Sequence, residues 1–142
     1  MSNSREPRPL WYRRGVVVAL VLYWLTMFTA THVPKVPQPL PPGFSDKWQH
    51  YVAYAGLGFL LAAWWALRRP LTWRAGLGLF VVAVFYGAFD EVTQPLFHRD
   101  ADLLDWRSDI IGAATGVALY AIVTTAINRR KQWPGERGAS AP

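Results

Sequence analysis

The chain has 142 residues, which is enough for one domain of ordinary size, and it contains no Cys. The absence of Cys excludes a disulfide framework, a thiolate nucleophile and any Cys-ligated metal centre. The net charge of +6 and the pI near 10.1 would suit a nucleic-acid partner. Because the charges lie at the ends of long apolar runs, however, we predict the lipid bilayer as the partner and no nucleic acid.

Four apolar segments have lengths that suit membrane-spanning helices, which need about 20 residues. Taken in chain order, the predicted spans are residues 15–33, 48–67, 73–94 and 106–127. The apolar part of the third span is short, so we expect its helix to continue through Asp90 and Glu91 until Pro95 stops it. The sequence therefore predicts an all-α, four-helix transmembrane bundle. Its single membrane domain covers residues 15–128, between tails at 1–14 and 129–142.

The distribution of Lys and Arg predicts the orientation of this bundle. Eleven of these residues fall in the two tails and in the loop after the second span, and four fall on the opposite side. The positive-inside rule therefore predicts that both termini are cytoplasmic, in a bacterial cytoplasmic (inner) membrane. Seven of the nine carboxylates then lie on the outer side.

Polar side chains recur at helical spacing at the outer ends of the last three spans. They are Asp46, Lys47, His50 and Tyr54 on the second span, Tyr86, Asp90, Glu91 and Gln94 on the third, and Asp105 and Asp109 on the fourth. On the fourth span the acids share a face with Gly112 and Gly116, whose GxxxG spacing lets helices approach closely. We therefore expect these acids to face the interior of the bundle.

The negative charges of the acids at the end of the third span need to be neutralised. Ionised Asp90 and Glu91 near a helix C-terminus are disfavoured by the helix dipole and by the membrane unless they are paired. A shared proton or a divalent cation would serve. The candidate cationic partners on the same side are Lys47, His50, Arg99 and Arg107.

The spacing of these polar residues resembles the VanZ-like family of small bacterial membrane proteins. The matching string over residues 44–116 runs Asp46-Lys47-x-x-His50-Tyr51-x-x-Tyr54, then Glu91-x-x-Gln94, then Arg99 with Asp105 six positions later, then Asp109-x-x-Gly112. The resemblance implies a four-helix membrane protein, a namesake linked to teicoplanin resistance, and an activity not established for the family as a whole. One departure is Asp109, where the family pattern has Asn, and it adds a charge.

Three functions fit these residues. The first is a cell-envelope protein that binds or modifies an envelope molecule, such as a lipid-linked one, and influences sensitivity to glycopeptides or other envelope stress. The second is a metal- or acid/base-dependent membrane enzyme with Glu91 as base and His50 as its acid/base partner. The third is a structural or transport-associated subunit. Candidate binding residues are Asp46, Lys47, Tyr54, Asp90, Gln94, Arg99, Asp105 and Asp109, and candidate ligands of a divalent cation are Glu91, Asp105 and Asp109.

Simpler roles compete with these. His50 could pair with Asp46 one turn earlier, and Asp105 could cap the fourth helix. We expect Asp100 and Asp102 to be solvated loop charges, and the sequence leaves the oligomeric state and any cofactor open.

Overall fold

The computed structural model describes residues 8–33 and 46–132, and in those ranges all regular structure is helical. Helix α1 is Leu10–His32, α2 is Asp46–Trp65, α3 is Trp73–Thr93 and α4 is Leu103–Gln132. A 3₁₀ helix, Gln94–Phe97, follows α3 directly. The prediction of an all-α, four-helix protein is confirmed. Residues 34–45, which belong to the connection between the first two predicted spans, and the outer parts of both tails lie outside the described residues.

Three of the helical segments are long and apolar enough to cross a membrane: Leu10–His32, Trp73–Phe97 and Leu103–Arg130. Large apolar side chains such as Phe85 and Ile122 are more than half exposed on these segments, whereas Asp90 and Asp109 are fully buried. A soluble protein shows the opposite distribution. The apolar exterior therefore suits contact with lipid.

Helix α2 is the central element and packs against α1, α3 and α4, most extensively against α4. The first five residues of α2 include the polar residues Asp46, Lys47 and His50. Helix α2 is not among the segments that qualify as membrane spans by length and composition. Because the other helices surround it, α2 needs less apolar surface than they do. Its crossing of the membrane stays a prediction.

Glycines bring the backbones of α2 and α4 into contact. A Cβ at Gly112 would collide with the carbonyl oxygen of Tyr51, and a Cβ at Gly116 would collide with that of Ala55. From the other side, a Cβ on Gly58 would lie 2.6 Å from the carbonyl oxygen of Ala113. The GxxxG face predicted for the fourth span is thus the face that packs on α2.

The connection between α3 and α4 fixes the beginning of α4. His98, in the left-handed region at φ 59°, follows the 3₁₀ helix and its N–H donates to the Pro95 carbonyl. Asp102 then caps α4, because its Oδ1 accepts a hydrogen bond from the Leu104 N–H at 2.8 Å. Helix α4 therefore begins at Leu103, three residues before the predicted span.

Candidate functional site

The C-terminal ends of α1 and α3 meet the N-terminal ends of α2 and α4 at one end of the bundle. Nine buried polar or aromatic residues converge there, and we call them the polar cluster. Its members are Thr31, His32, His50, Tyr54, Asp90, Glu91, Gln94, Asp105 and Asp109. All four helices therefore contribute to one buried site, as the polar stripes predict for three of them.

His50 lies at the centre of the polar cluster and is 4% exposed. Its Nδ1 lies 2.9 Å from Asp109 Oδ1, and its Nε2 lies 3.6 Å from Asp105 Oδ2. Both acids belong to α4, so His50 joins α2 to α4. The sequence left Asp46 as the simpler partner. Asp46 is half-buried at the start of α2, with a carboxylate oxygen within 4.8 Å of a His50 ring nitrogen.

Lys47 neutralises two acids at the rim of the cluster. Its Nζ lies 3.0 Å from Asp102 Oδ2 and 3.3 Å from Asp105 Oδ1. The Leu104 N–H and the Lys47 ammonium hold the pKa of Asp102 below its usual value, and the hydrogen bond to Asp102 raises the pKa of Lys47. Because Lys47 binds Asp105, and Asp102 provides the cap of α4, Asp105 is not the capping residue.

Asp102 lies in the loop with its side chain 42% exposed, as expected of a loop charge, but it also makes contacts that the sequence did not predict. Besides capping α4 and binding Lys47, Asp102 donates its backbone N–H to Glu91 Oε2 at 2.8 Å. One loop residue therefore positions the carboxylate of α3, the ammonium of α2 and the first turn of α4. Spacing alone did not reveal this, because it depends on the path of the chain after His98.

A second branch of the cluster joins α1 to α3. The Thr31 hydroxyl donates to Asp90 Oδ1 at 3.0 Å, and His32 Nδ1 lies 3.6 Å from the same oxygen. His32 Nε2 also lies 2.9 Å from Thr93 Oγ1. The sequence reasoning missed Thr31 and His32, although an ionisable residue inside a predicted span is itself a functional signal.

Several buried polar atoms of the cluster have no hydrogen-bond partner among the described residues. They include the Tyr54 hydroxyl, Glu91 Oε1 and Asp109 Oδ2. A buried polar group without a partner costs roughly 1–3 kcal/mol, and more if it is charged. A proton, an ion or a polar group of a ligand bound at this site would therefore lower the free-energy cost of burying these atoms.

Two groups of side chains in this region could hold a metal ion. His50, Glu91 and Asp109 form one group, and Asp46, His50 and Asp105 form the other, with ligand atoms within 4.8 Å of one another in each. His50 belongs to both. Each of the predicted cation ligands Glu91, Asp105 and Asp109 belongs to one of them.

A cleft of about 270 Å³ lies between α1 and α2 and reaches the cluster at His50. Met27 and Ala53 form part of its apolar wall, and Asp46 and Arg99 line its polar part. Arg99 Nη1 donates to the Ala30 carbonyl at the end of α1, at 3.1 Å. Arg99 therefore lies at the cleft, and Arg107 is exposed on α4.

The remaining predicted site residues are buried near these groups. Tyr54 and Gln94 are at most 1% exposed. The Tyr54 ring stacks on Tyr86 with their centroids 6.1 Å apart, which brings α2 and α3 together beneath the acids. The structure thus places every predicted site residue in the cluster, on its rim or along the adjoining cleft.

A bundle with an apolar exterior, three membrane-length helices and a buried polar cluster has the features of an integral membrane protein. Comparison with protein-family models, curated proteins and solved structures finds no match.

Proposed function

We propose that this chain is a VanZ-like, multi-pass protein of the bacterial cytoplasmic membrane whose polar cluster binds or modifies a cell-envelope molecule. Both termini lie in the cytoplasm in this proposal, and the polar cluster faces the outer side. The observation that supports it is the convergence of His50, Glu91 and Asp109 from three helices, with unpartnered oxygens on both acids. Burying charge is costly, and apolar side chains would join the helices more cheaply, so a functional role is favoured.

The cleft beside His50 favours an amphiphilic ligand. Its wall of Met27 and Ala53 suits an acyl or isoprenoid chain, and its polar part offers the Arg99 guanidinium. Guanidinium groups bind phosphate through paired, charge-assisted hydrogen bonds. A lipid-linked envelope molecule combines both chemistries, and its head group would reach His50.

The second candidate function is a membrane enzyme that works by acid/base chemistry. The 2.9 Å contact between His50 Nδ1 and Asp109 Oδ1 favours it, because a carboxylate in that position orients an imidazole for proton transfer. Glu91, held by the Asp102 N–H, would be the second proton-transfer group. In this version the envelope molecule is chemically altered.

The test compares membrane lipids and lipid-linked wall precursors, by mass spectrometry, in a deletion strain and in complemented strains. The complementing genes encode the wild type, Glu91→Gln and Asp100→Asn, at matched abundance. Asp100 is exposed, so its variant makes the same charge change away from the cluster. We expect one species to change on deletion, and wild type and Asp100→Asn to restore it.

If Glu91→Gln restores the profile as well as the wild type does, Glu91 has no role in that process. The cluster would then serve to hold the helices together. A new chemical species that is absent in the Glu91→Gln strain would favour the enzyme, whereas a changed amount of an unaltered species would favour binding or transport. Altered glycopeptide sensitivity of the deletion strain would support the VanZ-like assignment.

A further inference from the structure

The Lys and Arg side chains of this region leave three of the cluster's acids without an ion-pair partner of their own among the described residues. Lys47 faces Asp102 and Asp105, and His32 lies 3.6 Å from Asp90. For Asp109 the ion-pair partner within the described residues is His50, and Glu91 forms no salt bridge with a Lys or Arg there. Glu91 instead accepts the neutral N–H of Asp102. Asp90, Glu91 and Asp109 therefore lack a Lys or Arg partner among the described residues, and of the three only Glu91 and Asp109 share a group of possible metal ligands with His50.

Glu91 and Asp109 each carry an unpartnered oxygen as well, as Asp90 does at Oδ2. Asp109 is fully buried and Glu91 is 7% exposed, and Oδ2 of the first and Oε1 of the second have no hydrogen bond among the described residues. Both lie with His50 in a group whose ligand atoms are within 4.8 Å of one another. Unlike an exposed acidic patch, this site has buried oxygens that water does not freely solvate.

We propose that His50, Glu91 and Asp109 bind one divalent transition-metal ion, such as Mn²⁺ or Zn²⁺, that bridges α2, α3 and α4. The proposal rests on the function proposed above and deepens it by naming a ligand of the same cluster. Two carboxylates balance the charge of a divalent ion. An imidazole nitrogen beside two carboxylate oxygens suits Mn²⁺ or Zn²⁺ better than Ca²⁺.

The spacing of the atoms agrees with a shared ion. Ligands at about 2.1 Å from a metal lie about 3 Å apart when adjacent and about 4.2 Å apart when opposite. His50 Nδ1 and Asp109 Oδ1, at 2.9 Å, have the separation of adjacent ligands. Ligand atoms of this group that are as far apart as the 4.8 Å limit need only a small side-chain rotation to close around the ion.

The test uses the full chain, purified in detergent, stripped with EDTA and titrated with MnCl₂ while free Mn²⁺ is followed by electron paramagnetic resonance. We expect one bound Mn²⁺ per chain, displaced by Zn²⁺, with nitrogen modulation from the His50 ring in the pulsed spectrum. Glu91→Gln and Asp109→Asn should weaken binding by more than the roughly 10- to 100-fold that loss of an outer-shell partner costs. His50→Gln should remove the nitrogen signal.

The matched control is Asp90→Asn, which changes a buried carboxylate one residue from Glu91 on the same helix. Asp90 faces Thr31 and His32, so this variant should keep wild-type affinity. Equal loss in Asp90→Asn and Asp109→Asn would overturn the proposal, because it would indicate a general negative field. Bound Mn²⁺ without nitrogen modulation in the wild type would also overturn the proposal. This result is obtained on the wild type alone, so it holds even if a variant fails to fold.

The two proposals fail separately. If the wild type binds no ion while Glu91→Gln still fails to restore the lipid profile, the metal site is wrong and the envelope function stands. If the ion binds with nitrogen modulation and deletion changes no envelope species, the metal site is supported and the proposed function is wrong.

Discussion

Substitution of Gly116 by Ala tests whether the contact between α2 and α4 holds the polar cluster together. The added Cβ would collide with the Ala55 carbonyl oxygen and lie 2.8 Å from the Ala55 carbonyl carbon and the Phe59 nitrogen. All three neighbours are backbone atoms, so no side-chain rotation can relieve the contact. Helix α4 would have to move away from α2 by about 1.5 Å to restore ordinary van der Waals separation.

The change in the free energy of unfolding caused by Gly116→Ala follows from opposing effects. Overpacking of this kind costs about 1–3 kcal/mol, and the better helix propensity of Ala offsets up to about 1 kcal/mol of it. Separating the helices also stretches the 2.9 Å contact between His50 and Asp109, since both helices carry it. A hydrogen bond to a charged group is worth about 1.5–3 kcal/mol, so a partial loss brings the net destabilisation to about 2 kcal/mol.

The assay is thermal unfolding in detergent, followed by the fluorescence of the eight Trp residues. For a chain of this size, a loss of about 2 kcal/mol lowers Tm by about 4–8 °C. Gly78→Ala is the matched control, because nothing lies within 4 Å of its Cβ position on α3, and its Tm should stay the same or rise slightly. Equal Tm values for Gly116→Ala and wild type would refute the close backbone packing.

Three further results are expected. Thr31→Val removes a donor to a buried carboxylate and should destabilise the protein by about 1–3 kcal/mol, whereas Thr29→Val, which loses a bond within its own helix, should not. Asp102→Asn keeps a side chain that can cap α4 but removes a carboxylate whose pKa is lowered in the folded protein. Its Tm deficit should therefore be constant above the ordinary pKa of 3.8 and disappear as pH falls through the lowered pKa. Finally, since the chain has no Cys, single cysteines can report the topology. Ala101→Cys should react with an impermeant maleimide applied from the outer side, and Pro70→Cys should react only after lysis. The opposite labelling would reject the proposed orientation.

The helices were predictable because each depends on local sequence. Apolar run length gave four helices, and Pro95 marked the end of α3 to within two residues. The face of α4 that packs on α2 was predictable too, because Gly112 and Gly116 permit a backbone approach that other residues prevent. Such features need no knowledge of which helix is the neighbour.

The pairing of side chains across helices was less predictable. Periodicity placed His50 on one face with Asp46, but it could not show that Asp109 of another helix would lie 2.9 Å from His50, because the distance between helices is set by tertiary packing. The role of Asp102 depends on the left-handed turn at His98, which has no spacing signal. The role of His32 was not predictable from periodicity, because the first predicted span contains no Asp, Glu, Lys or Arg that could form a stripe with it.

Glu91 is the residue at which a structural and a functional cluster make opposite predictions for stability. A Gln at this position keeps an oxygen that can accept the Asp102 N–H and removes a buried charge that has no Lys or Arg partner among the described residues. In protein freed of metal ions, Glu91→Gln should therefore melt at the wild-type temperature or above it, while failing to restore the envelope profile. Functional residues commonly trade stability for activity in this way. If the carboxylate instead holds the helices together, the same variant should melt several degrees lower and accumulate less, because the partners of the carboxylate would remain buried and uncompensated.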